Sequence, residues 1–95
     1  MLFTLSHSPA ECDLPALLRL AQPGDALLLL QNGVLAGLAG SVHLAQLQQA
    51  PVALFALQAD VEARGLPGYI SHNVTVIGYT EFVELTEKHP AQTAW

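Results

Sequence analysis

The sequence predicts an α/β fold, a single mostly parallel sheet flanked by helices on both faces, and three observations carry that expectation. Short aliphatic runs recur at 1–5, 26–30, 52–57 and 74–77. The stretches between them show helical apolar spacing or capping residues, the mark of repeated strand–helix–strand units. The run at 26–30 is continuously aliphatic with no polar alternation, which identifies a strand covered on both sides and places it centrally.

The elements follow in order. Residues 1–5 form a first buried strand, ended by Ser6-His7-Ser8-Pro9. Asp13 caps a helix whose Leu14, Leu17, Leu18 and Ala21 line one face, with Pro15 tolerated in the first turn. Pro23-Gly24 stops that helix ahead of the 26–30 strand. Asn32-Gly33 turns the chain into a helical stretch over 34–49, which Gly37 and Gly40 loosen and which the Gly40-Ser41 step is expected to split. Pro51 precedes a third strand at 52–57, and a short helix at 60–64 ends on Gly65. Residues 74–77 form a β-branched fourth strand, Thr80 is expected to cap a last helix through Lys88, and Pro90 closes it. Residues 91–95 are read as a tail.

Composition narrows what such a domain does. Ninety-five residues suit one core, so residues 1–95 are read as one domain. A hydrophobic share of 52% with only 12% charged residues excludes disorder and is sparse in charge for a lone soluble monomer, which points to a buried partner face. Net charge is -5, and the cations Arg19, Arg64 and Lys88 are scattered, so direct nucleic-acid binding is not expected. No apolar run approaches the ~20 residues of a membrane span and no secretory leader is visible. One cysteine excludes an internal disulfide, and the chain is read as cytoplasmic.

In an open α/β sheet, chemistry collects beyond the carboxyl ends of the strands, which here means residues 7–13, residues 31–33 and the loop after the third strand. Cys12 lies in the first of these, before a helix N-terminus that would lower its pKa, but between Glu11 and Asp13, which act oppositely. Its role stays open, with an incidental thiol as the default. Ser6, His7 and Ser8 lack an orienting third group and an oxyanion site. His43, His72 and His89 have no companion at metal-ligand spacing. No glycine loop for phosphate is present, so a nucleotide-binding module rests on fold analogy alone, and no cofactor is expected. Tyr79 and Phe82 in the last helix, and Trp95, are candidate partner-interface residues, since a terminal aromatic either folds back into the core or anchors another chain.

Taken together, MLFTL-SHSP at the start, LLLLQNGV at 27–34, ARGL at 63–66, YTEFVELTEKHP at 79–90 and QTAW at the end resemble the TusB/DsrH family over the whole chain. The resemblance implies a flavodoxin-like, DsrEFH-like domain. It also implies a subunit of a TusBCD-type sulfur relay, a dimer of heterotrimers with TusC-like and TusD-like chains, taking sulfur from a TusA-like protein towards a TusE-like one for 2-thiolation of the tRNA wobble uridine. The relay cysteine of that complex belongs to the TusD-like chain. The sulfur-oxidising branch carries a cysteine on its first helix, but the matching position here is at or near Leu17, so no catalytic residue is carried over. The resemblance therefore implies a structural subunit, with a sulfurtransferase using Cys12 as the alternative.

Overall fold

The computed structural model describes residues 1–95. Its strands are β1 (Leu2–Leu5), β2 (Ala26–Leu29), β3 (Ala53–Leu57), β4 (Thr75–Ile77) and β5 (Gln92–Ala94). Its helices are α1 (Leu14–Leu20), α2 (Val42–Gln48), α3 (Gln58–Ala63) and α4 (Tyr79–Lys88), with 3-10 turns at Pro9–Glu11 and Gln31–Gly37. All pairings within the five-stranded sheet are parallel, in the order β4-β3-β2-β1-β5, and the aliphatic β2 is central as expected.

The fifth strand departs from the sequence expectation of a tail. Gln92, Thr93 and Ala94 pair with Leu2, Phe3 and Thr4, and backbone bonds from Leu2 N to Ala91 O (2.9 Å) and from Trp95 N to Thr4 O (2.7 Å) fix the register. An edge strand needs backbone partners more than apolar side chains, so a polar segment can fill the place.

Alternation divides the sheet into two unlike faces. Phe3, Leu5, Leu27, Leu29, Leu54 and Ala56 point to one side, where α1, α2, α3 and the Gln31–Gly37 turn complete a core cluster of 14 buried residues. Leu2, Ala26, Leu28 and Ile77 form a cluster of four on the other side, against the half-buried Phe82 and Leu85 of α4. The connectivity explains the asymmetry. Steps β1→β2→β3→β4 all run in one direction, so right-handed crossovers put their helices on one face, and the return from β4 past three strands to β5 puts α4 on the opposite face.

Local chemistry sets the boundaries. The Asp13 carboxylate accepts from Ala16 N at 3.1 Å and caps α1 as expected. The 34–49 stretch divides at Gly40, which has φ +80°, and Ser41 caps α2 through Leu44 N at 3.0 Å. The half before the break is a 3-10 turn instead of an α-helix. Gly33 shows why this segment lies so close to the sheet, since a Cβ there would meet Leu5 O at 1.9 Å. The expected Thr80 cap is corrected. Helix α4 starts at Tyr79 with Gly78 at the N-cap and no side-chain cap bond, because its position is set by packing on the sheet.

Candidate functional site

The strand order reverses at β1, which lies between β2 and the returning β5, and the segments beyond the carboxyl ends of β1 and β5 come together there. Four of the residues singled out in the sequence meet there. His7 Nδ1 lies 3.2 Å from Trp95 O, and Trp95 Nε1 donates to Asp13 O at 3.0 Å. The indole packs against the 14-residue cluster, as does the half-buried Cys12. The tail therefore straps the start of α1 to the sheet, a long-range link that local pattern could not reveal.

Cys12 sits between the Pro9–Glu11 turn and the Asp13 cap, with Sγ 3.8 Å from Pro9 O. Burial pushes its thiol pKa up, and the neighbouring Asp13 charge pushes it further up. Of the two opposing influences read from the sequence, the raising one prevails. No lysine, arginine or histidine bonds to Sγ, so nothing compensates the cost of ionising it. Both influences disfavour the thiolate, the nucleophilic form.

A second polar cluster lies at the ends of β2 and β3. Gln31, with the left-handed φ of +51°, donates its backbone N–H to Asp60 Oδ2 at 2.7 Å. Arg64 donates to Asn32 Oδ1 through Nε (3.2 Å) and Nη2 (3.0 Å), and its Nη1 lies 3.7 Å from Asp60 Oδ1. The guanidinium is committed to holding the turn after β2 against α3. Sequence reading treated Asn32 as turn chemistry only, and its partner thirty-two residues away carried no local signal.

No three His, Cys, Asp or Glu side chains converge at metal-binding distance. His43, His72 and His89 are drawn into no such group. Tyr79 stands on the solvent side of α4 with 63% exposure, whereas Phe82 is turned towards the four-residue cluster. The sequence grouped Tyr79, Phe82 and Trp95, and the fold separates them: Trp95 packs against the 14-residue cluster on one face, and the other two ride on the helix of the other face. No helix is long and apolar enough to cross a membrane.

Fold and site together define a small flavodoxin-like α/β domain whose terminal strand and Trp95 pack against the start of its first helix. Comparison with known proteins sharpens the class. The family model described as "DsrH like protein" matches residues 7–92. Protein TusB of Serratia proteamaculans is 68% identical over 95 residues, and Protein TusB of Sodalis glossinidius is 57% identical over 95, each match covering 100% of both chains. Among solved structures, the ychN protein of E. coli superposes with TM-score 0.77 at 18% identity, over 99% of this chain and 97% of that one, and shares the fold. Protein Tm0979 of Thermotoga maritima superposes with TM-score 0.64 at 27% identity, over 94% of each chain. This chain belongs to the DsrH/TusB family.

Proposed function

We propose that this chain is a non-catalytic subunit of a cytoplasmic TusBCD-like complex that passes persulfide sulfur for 2-thiolation of the tRNA wobble uridine. The family supplies the pathway, and the state of Cys12 carries the division of labour. Sulfane sulfur moves when an acceptor thiolate attacks it, forming a new S–S bond as the donor cysteine leaves as thiolate. A relay cysteine must therefore ionise readily and be reached from outside. Cys12 is half-buried beside a carboxylate that raises its pKa. The relay thiol in this reading belongs to a TusD-like partner, and this chain supplies surface.

The surface has the matching character. Val83 is 54% exposed and Tyr79 63% exposed on α4, in a chain with only 12% charged residues. Sulfur delivery from a TusA-like protein and onward to a TusE-like one then passes through the assembly, and contact with tRNA is indirect.

Co-expression with TusC-like and TusD-like chains, with the affinity tag on this chain alone, tests the assignment. All three are expected to elute as one species. Recovery of this chain alone, while the other two co-purify with each other, contradicts it.

A further inference from the structure

One backbone angle is out of place at the carboxyl edge of the sheet. Gln31 has φ +51°, and it alone among the residues other than glycine lies in the left-handed region. Gly33 N donates to Leu30 O at 2.9 Å, so Gln31 is the first central residue of a tight four-residue turn. A Cβ at such a position crowds the backbone, and glycine, asparagine or aspartate is the usual occupant. The chain carries an asparagine at the next position, Asn32, and a glycine at Gly33, yet neither takes the strained place. Gly33 is needed where it is, because a Cβ there would strike Leu5 O.

The strain is held from outside the turn. Asp60 Oδ2 accepts from Gln31 N at 2.7 Å. Arg64 grips Asn32 Oδ1 through Nε and Nη2, and its Nη1 lies 3.7 Å from Asp60 Oδ1. The side chain of Gln31 is exposed and takes no part in these bonds. Neither core packing nor capping accounts for a glutamine there.

We propose that Gln31 is a recognition residue, whose carboxamide the strained turn presents to a main-chain peptide group of a partner subunit. The inference rests on the subunit role proposed above and names a residue through which that role is exercised. Backbone strain persists where the surroundings enforce it, and such positions cluster at functional sites. Local charge selects what the carboxamide meets. Asp60 and Arg64 offset one another beside the turn, so neither an anion nor a cation is drawn to it. A primary amide offers N–H donors and a carbonyl acceptor, and so matches the donor and acceptor of a peptide group.

The test uses the full chain, alone and titrated with purified TusC-like and TusD-like chains. Gln31→Gly removes the carboxamide and the strain together, whereas Gln31→Ala removes the carboxamide and keeps the strain. Alone, the glycine variant should melt about 4 °C above wild type and the alanine variant close to it. Both should bind the partners about tenfold more weakly. A glycine variant that melts at or below wild type overturns the strain on which the inference stands. Binding that both substitutions leave unchanged overturns the recognition role and leaves the subunit role standing. Failure of the wild-type chain to bind either partner overturns the subunit role itself, and the role of Gln31 with it.

Discussion

The two faces of the sheet are built from the same strands but are finished to different degrees. Neighbouring leucines in β2 show this: Leu27 and Leu28 are both fully buried, yet Leu27 belongs to a cluster of 14 and Leu28 to a cluster of four. Three helices cover the first face. One helix with no fully buried residue covers the second. The first face accounts for most of the fold, since burying a large aliphatic side chain contributes about 1.5–3 kcal/mol and most such side chains lie there. The second face is left with apolar groups that the chain alone does not cover, as a partner surface would be.

Substitutions on the two faces should therefore differ in size. Leu27→Ala removes a fully buried side chain from the larger cluster and should cost about 4 kcal/mol in urea unfolding. Trp95→Ala comes next, at about 2 kcal/mol, because the indole is only half-buried but also gives up its bond to Asp13 O. A stability unchanged by this substitution would move Trp95 from the domain's own packing to a partner. Leu85→Ala, on the half-covered face, should cost about 1 kcal/mol when the chain is alone. Its effect on assembly should exceed its effect on folding, and the reverse ranking would break the comparison.

The smallest effect is a pH dependence at the amino edge of the sheet. The Asp25 carboxyl is held below its ordinary value chiefly by the Gln22 backbone N–H at 2.9 Å, against some desolvation, and also by the Met1 ammonium at 3.0 Å. A lowered folded-state pKa gives stability that is present above the unfolded value, near 3.8, and is lost as pH falls through the folded one. Asp25→Asn should flatten that acid limb and leave the rest of the stability profile in place. An acid limb unchanged in the variant would show that other carboxylates set it.

Four strands were legible in the sequence because aliphatic runs bounded by Pro, Gly and Asn leave few alternatives, and the central place of residues 26–30 followed from their lack of alternation. The fifth strand was not, since Gln92 and Thr93 are held by backbone pairing with β1 and carry no apolar period. The conflict at Cys12 was visible, with a helix start on one side and two acids on the other. Its outcome needed the burial that only packing supplies. The division of Tyr79 and Phe82 from Trp95 was hidden for a similar reason, because it depends on which face the return crossover takes.

The division of labour is tested most directly in cells that carry Cys12→Ser as their only copy of this gene, with 2-thiouridine in bulk tRNA measured by mass spectrometry. The proposed non-catalytic role predicts that the thionucleoside stays near the wild-type level, in keeping with burial and the Asp13 charge pushing the thiol pKa up. Loss of the thionucleoside in these cells, with the three-chain complex still recovered intact, would place a relay step on Cys12 and contradict the account.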